Sequence, residues 1–422
     1  MPRLNGVSYN RKINCKTIFA AIFFFIIAIF SYSQTGSSQA SHKTNDFSPV
    51  FIYPGNYKTR TVYNLRIREN NVYKGAVYRE IREKYSLAAD TPLEKKFAGT
   101  TYVFEELKTE GRDIAKKVDN IIDGSFTVTK EGEFQRADNS YFPLLVGFPV
   151  YPEKQSFKPG YKWIAEGNVF VDPLRKNLFT KIKFLCEYTY TGITQYKGID
   201  VHAISAQYAM RYIKGEDPDG DKDLEKVSGS RKVTIYLTVK DSLPYFIQDN
   251  IDDVYTYPSL AVSIKGFSHT WYTDVVPMKR DVVKKEVIES IIKSKLDDKD
   301  FEVKEKAEGI SLTTNNIHFV PDSAELLPGE DKKVEIISNI LKRIPDRTFL
   351  VTGHTADIGT KESQIELSVK RAEEIAKLFK KNGINGDRII FTGKGGSEPA
   401  ADNSTEEGRA KNRRVEIIIL ED

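Results

Sequence analysis

A β-rich body followed by a C-terminal α/β sandwich, together an α+β multidomain chain, is the fold class the sequence predicts, and three observations carry it. At 422 residues the chain exceeds what one hydrophobic core organises, so two or three domains are expected. Strand-like runs punctuated by turn residues fill the first half, whereas strand-like and helix-like text alternates regularly over the last hundred or so residues. A composition of 40% hydrophobic, 29% charged and 11% aromatic residues is that of ordinary globular domains and excludes a multi-span membrane protein.

The N-terminus reads as an export signal over residues 1–33. A basic stretch ending at Lys16 precedes thirteen apolar residues, Ile18 to Phe30, and then small and polar Ser31-Tyr32-Ser33-Gln34. The apolar run is shorter than the roughly 20 residues a membrane span needs, so cleavage is expected, with an uncleaved anchor as the alternative. Cys15 precedes the run, whereas a lipid-attachment cysteine follows it. The formal charge of +4 has the same origin: removing Arg3, Arg11, Lys12 and Lys16 from the 63 basic residues leaves 59 against 59 acidic ones. No nucleic-acid partner is expected from so balanced a chain.

Residues 34–45 are rich in Ser, Gln, Thr and Gly and read as a flexible spacer. Residues 46–213 carry runs such as Thr101-Tyr102-Val103-Phe104 and Glu187-Tyr188-Thr189-Tyr190, with Asp123-Gly124, Pro159-Gly160 and Lys197-Gly198 as hairpin punctuation, and predict a β-rich, sandwich-like domain. Helix-like text intervenes near Arg112 to Ile122. Cys186, on a strand-like run, is expected as a buried small hydrophobe. Residues 214–231 read as an acidic linker. Their aspartates invite a calcium reading, but Gly220 is fourth from Asp217 and Ser228 stands where a bidentate glutamate is needed. Residues 232–305 predict a small α/β or β-rich domain closing with a connector helix from Pro277 to about Leu296.

Residues 306–422 predict a βαβαβαβ unit. Its strands run through Asn316–Phe319, Thr348–Thr352, Arg388–Thr392 and Arg414–Leu420, with helices from Gly329 to Ile344, Ser363 to Lys381 and Thr405 to Asn412 between them.

The five histidines, at 42, 202, 269, 318 and 354, show no His-Glu-x-x-His spacing, and no Gly-x-Ser-x-Gly or Walker loop occurs. No catalytic residue, metal or cofactor is therefore expected. A transmembrane β-barrel over Asp46 to about Val276 is the alternative for the body. Against it stand charged runs such as Tyr63-Asn64-Leu65-Arg66-Ile67-Arg68-Glu69.

Gly353-His354-Thr355, Leu367-Ser368, Arg371-Ala372, Gly393, Gly395, Pro399, Asn403 and Gly408-Arg409-Ala410-Lys411-Asn412-Arg413-Arg414-Val415-Glu416 together resemble the OmpA-like peptidoglycan-binding domain over about residues 309 to 420. The whole layout is similar to OmpA-domain envelope proteins of spirochaetes. The resemblance implies a non-catalytic periplasmic protein that tethers its body to the cell wall. Its partners would be the peptidoglycan stem peptide and other envelope or outer-membrane proteins. It also implies a pocket for the stem's diamino acid, with an arginine for a carboxylate and an aspartate for an ammonium. Arg371 matches that arginine, Thr355 borders the loop, Asp322 matches a polar rim position, Gln364 stands at the family's asparagine, and Asn412 and Arg413 close the far side. Where the family places its aspartate this chain has Ala356, with Asp357 one place later. Three outcomes stay open: Asp357 reaches the ammonium through a shifted loop, the ligand differs, or binding is lost. The spirochaete resemblance would imply ornithine, which has an ammonium and no distal carboxylate. The alternative for Arg413 and its neighbours is pairing with Glu406 and Glu407.

Overall fold

The computed structural model describes Phe47 and residues 56–107, 116–129, 134–136, 145–146, 150–151, 156–176, 178–240, 242–273, 278–294, 301–306, 308–314, 317–320, 322–344 and 347–420. The signal-like segment 1–33 and the spacer 34–45 lie outside these described residues.

The body is built from β1 (Asn56–Glu69), β2 (Val72–Asp90), β3 (Glu94–Leu107), β4 (Lys116–Lys117), β5 (Asn120–Thr129), β6 (Phe134–Arg136), β7 (Leu145–Val146), β8 (Lys162–Val171), β9 (Thr180–Tyr196), β10 (Ile199–Ile213), β11 (Lys226–Thr238), β12 (Pro244–Thr256) and β13 (Ala261–Thr273). All but β4 form one antiparallel sheet, ordered β6-β5-β3-β2-β1-β13-β12-β11-β10-β9-β8-β7. Period-2 burial shows why each strand is one: β10 turns His202, Ile204, Ala206, Tyr208, Met210 and Tyr212 inward and Ser205, Gln207 and Arg211 to solvent. Phe179, just before β9, packs on Ile81 and Val103 of β2 and β3, so the sheet curls until its halves face each other across the core. The hairpin at Lys197-Gly198 has both residues at positive φ, +50° and +80°, the mirror-image turn whose twist suits flanking strands. Cys186 is fully buried, and burial pushes its thiol up to about 12.

Three expectations need correction. Residues 46–213 and 232–305 are not separate domains, because β10 pairs with β11 and β11 with β12 in one continuous register. Residues 214–231 are not a solvated linker. The Asp217 carboxylate accepts the Lys181 amide at 2.6 Å, Asp221 and Asp223 pair with Lys176 at 3.2 and 3.1 Å, and residues from Lys226 onward are already β11. The helix-like text near 112–122 gives β4 and the start of β5 over its described part.

Glu83 points into this core, where Thr59 Oγ1 donates to it at 2.6 Å. Burial pushes its carboxyl up to about 7, outweighing the Thr59 bond. The folded state therefore holds a proton the unfolded chain releases. The stability this gives is complete below the unfolded value near 4.5 and lost as pH rises through about 7. Glu83→Gln is expected to flatten that loss and gain about 1–3 kcal/mol at pH 8. Urea denaturation at pH 5 and pH 8 checks it, and an unchanged pH slope would remove Glu83 as the cause.

Beyond the body come α1 (Arg280–Lys293), β14 (Phe301–Lys306), β15 (Gly309–Thr314), α2 (Glu330–Lys342), β16 (Phe349–Gly353), α3 (Lys361–Lys381), β17 (Ile389–Gly393), α4 (Glu406–Asn412) and β18 (Val415–Leu420). The second sheet is ordered β14-β15-β18-β16-β17-β4, with β16, β17 and β4 parallel. The first strand of this unit is β15, not Asn316–Phe319. Within the described part of that stretch Phe319 makes an isolated bridge to Leu326, leaving residues 317–320 and 322–328 as a looped rim. One face of the sheet packs Phe349, Val351, Ile389, Ile417 and Ile419 against Val334, Ile337, Ile375 and Phe379 of α2 and α3. Its other face, through Leu350, Ile390, Ile418 and Leu420, meets Tyr102, Phe104 and Val118 of the body.

At that junction Glu80 is fully buried. It receives Arg82 Nε and Lys116 Nζ at 2.7 Å, Arg60 Nε at 2.9 Å and the Tyr78 hydroxyl at 2.8 Å. Burial opposes its charge, but Arg82, Lys116 and Arg60 together hold the carboxyl far below the ordinary range. Arg82 Nη1 also donates to the Asp387 carbonyl at 3.2 Å, and the Val118 amide to the Phe391 carbonyl at 2.7 Å, so charge and backbone both fasten the two sheets together.

Candidate functional site

Three chain segments converge at the C-terminal edge of β16 and β17. The Gly353-His354-Thr355 turn leaves β16, a second loop follows β17 from Lys394, and α3 runs beneath both. Gly353 and Gly393 are required by closeness: a Cβ at the first would collide with the Ser368 carbonyl and at the second with Ser368 Oγ. Ser368 Oγ accepts the Gly395 amide at 3.0 Å, Gln364 Oε1 accepts the Gly396 amide at 3.0 Å, and the Thr355 amide donates to the Gly395 carbonyl at 2.9 Å. Thr360 caps α3 by accepting the Ser363 amide, setting where the helix begins.

Beneath the turn His354 is buried, with neither ring nitrogen hydrogen-bonded among the described residues, and burial lowers its pKa. Glu416 lies 3.7 Å from its Nε2. Burial opposes the Glu416 charge, but the His354 ring beside it and the bonds from Lys306 and Ser311 outweigh that and hold its carboxyl far below the ordinary range.

A cleft of about 800 Å³ opens between the 322–325 rim and α3. Asp322, Ser323, Ala324 and Glu325 form one wall, Ser363, Gln364, Glu366, Leu367, Lys370 and Glu374 the other, with Thr355 and Ile358 at the end. Asp322 holds a left-handed backbone, φ +55°, which aspartate tolerates better than most residues. Thr355 is 7% exposed, and its hydroxyl is buried without a hydrogen-bond partner among the described residues.

The residues expected at a binding site separate here. Arg371 is buried behind the rim: its Nε donates to the Ser323 carbonyl at 3.0 Å, and Phe319 lies 5.0 Å from its guanidinium carbon. Burial and the Arg413 charge draw its pKa below the ordinary value while Asp322 opposes them, so Asp322 is the acid whose field it feels. Asp357 is exposed and outside the cleft lining. Its amide donates to Asn403 Oδ1 at 3.0 Å, and its Oδ1 accepts Gln364 Nε2 at 3.0 Å. The neighbouring Ala356 is buried. Gln364 lines the cleft with its amide already engaged by Asp357, Gly359 and Gly396.

Asn412 does not close the far side. It is fully buried, accepts the Ala400 and Ala401 amides, and donates to the Ala401 carbonyl and Asn403 Oδ1, which leaves no bond for a ligand. Arg413 pairs with Glu406 at 2.6 Å, as does Arg409 at 2.8 Å, so the pairing alternative describes both. Sequence reasoning missed Glu325, Glu366, Lys370 and Glu374. The last three recur every fourth residue, the spacing that puts them on one face of α3.

Residues 318–413 match the OmpA family. The peptidoglycan-binding protein ArfA of Mycobacterium tuberculosis is 38% identical over 109 residues, which are 26% of this chain and 33% of that protein. The probable lipoprotein YiaD of Escherichia coli is 36% identical over 105 residues, 25% of this chain and 48% of that protein. The chain thus spans a third to a half of the length of these relatives. A solved outer-membrane protein from Borrelia burgdorferi B31 is 37% identical, covering 28% of this chain and 96% of that one at a TM-score of 0.24. The chain carries, at its C-terminal end, a domain of the OmpA family.

Proposed function

We propose that the protein is a non-catalytic component of the cell envelope. Its OmpA domain binds the stem peptide of peptidoglycan and thereby tethers the β-rich body to the wall on the periplasmic side. The observation that carries this reading is the coincidence of the family match, 318–413, with the segment that forms the cleft and its buried arginine. The identification of the relative ArfA as a peptidoglycan-binding protein supports it. With Nε engaged by Ser323, the Nη groups of Arg371 are left to receive a stem carboxylate by charge-assisted hydrogen bonds.

Co-sedimentation of residues 34–422 with purified sacculi tests the reading. Arg371→Ala is expected to lower affinity about tenfold or more, Arg371→Lys less, and Asp357→Ala little. A thermal melt of each variant separates lost binding from lost rim structure. Equal pelleting of wild type and Arg371→Ala by folded proteins would reject the site.

The transmembrane-barrel reading fares less well. Lys183, Gln207, Arg211, Lys226, Lys232 and Lys265 stand exposed on the outer face of β9 to β13, where a lipid-facing band is apolar.

A further inference from the structure

We infer that the outer face of the body's sheet, from β9 to β13 and β1, docks on the surface of an anionic phospholipid bilayer without spanning it. The inference goes beyond wall binding and does not rest on it.

Charge is the first observation. Strand pairing sets Arg66 opposite Lys265 and Lys265 opposite Asp252, and directly paired residues share a face. Lys183, Arg211, Lys226 and Lys232 stand exposed on the neighbouring strands. Their face is the outer one, because the alternating residues Ile182, Met210, Val227 and Val233 are buried. Among the described residues the acids on this face are Asp252, paired with Lys265 at 2.9 Å, and Glu187, paired with Lys162 at 3.3 Å. Five strand intervals separate Lys183 on β9 from Arg66 on β1, roughly 24 Å along the sheet, so the positive field covers a surface and not a pocket for one small anion. Exposed Lys and Arg close to a membrane are drawn to its anionic headgroups.

A registered aromatic row is the second, independent observation. Tyr236 of β11 pairs with Phe246 of β12, and Phe246 with Trp271 of β13, so the three share the outer face at one level. Tyr196 stacks on Phe246 at 4.8 Å, and Phe267 on the same face is exposed. Tyr and Trp settle at the boundary between headgroups and acyl chains, where the ring is apolar and its polar atom stays wet. The Lys197 ammonium lies 5.5 Å from the Tyr196 ring and 6.0 Å from the Trp271 ring, which holds a cation at the level of the row. A sugar is a poorer occupant. The rings turn their faces to one another, Tyr196 to Phe246 at 18° and Tyr236 to Phe246 at 28°, instead of lying side by side as a platform. The charges that bar this face from hydrocarbon suit a headgroup layer.

Flotation of residues 34–422 with lipid vesicles tests the inference. Mixed phosphatidylglycerol and phosphatidylcholine vesicles are expected to bind about tenfold more tightly than phosphatidylcholine alone, and added salt to weaken that binding. The double variant Lys226→Glu, Lys232→Glu is expected to lose about tenfold on the mixed vesicles while pelleting with sacculi like wild type. Brominated lipid is expected to quench Trp271 in the wild type and to lose that effect in Trp271→Phe, because the chain's other tryptophan, Trp163, is buried. Should the charge-reversed protein fail to fold in a thermal melt, the quenching comparison decides alone. Equal binding to both vesicles, no flotation, a folded charge-reversed protein that floats like wild type, or an unquenched Trp271 would each overturn the docking surface and leave wall binding standing.

Discussion

Arg231→Leu is expected to cost about 3–5 kcal/mol of folding stability at pH 8, because it strands two carboxylates in the body's core. Arg231 Nη1 donates to Asp249 at 2.6 Å, its Nε to Asp253 at 3.0 Å, and its Nη2 to the second oxygen of Asp253. All three residues are buried, and Tyr255 donates to Asp253 at 3.1 Å. Even with the guanidinium present, burial outweighs its pull and pushes Asp249 up to about 6. Without it, the variant folds only by protonating its acids. Its deficit should therefore shrink as pH falls and grow as pH rises, the sign expected when the folded state binds more protons than the unfolded one. Denaturant titrations at pH 5 and pH 8 read this directly. A deficit under about 1 kcal/mol, or one equal at both pH values, would show that the pairing contributes little.

Glu80→Ala is expected to cost a similar amount, about 3–5 kcal/mol, and to act at the junction of the two sheets. Removing this carboxylate leaves Arg82 and Lys116 facing each other with little water to screen them, and half-exposed Arg60 beside them. The apolar patch of Tyr102, Phe104, Leu350 and Ile418 then holds the sheets by itself. Hydrogen exchange is expected to quicken at Lys116–Val118 and at Gly386–Arg388, and thermal unfolding to split into two steps. A single transition at the wild-type midpoint would refute the role. Because the Glu80 pKa lies far below its unfolded value, its contribution is complete at neutral pH and disappears as pH falls below about 4.5. This is opposite in direction to the effect of Glu83.

Elements whose stability is local were legible in the sequence. The helix at Lys361–Lys381 announced itself through Ile375, Ala376 and Phe379 on one face and Gly383 beyond its end. Pairing was not legible, because a period of two says which side of a strand is buried and nothing about which strand lies beside it. Thus β1 beside β13, about two hundred residues apart, left no trace in the text. The acidic turn at Asp217–Asp223 misled for a different reason. Its carboxylates are satisfied by the Lys181 amide and by Lys176, both outside the segment. At the candidate site, motif spacing singled out Arg371, Thr355 and Asp322. That Arg371 stands behind the rim, or that Asn412 spends its amide on Ala400 and Ala401, follows only from how the loops meet.

The two-residue strand β4 carries a consequence out of proportion to its length. An unpaired strand margin is a template on which a second copy of a protein can continue its sheet. By laying Lys116-Lys117 along Ile390 and Phe391, the body covers part of the β17 margin and leaves only a two-residue strand at that end of the sheet. The opposite margin of the second sheet is β14, a longer strand whose Glu302, Lys304, Glu305 and Lys306 place charges along it.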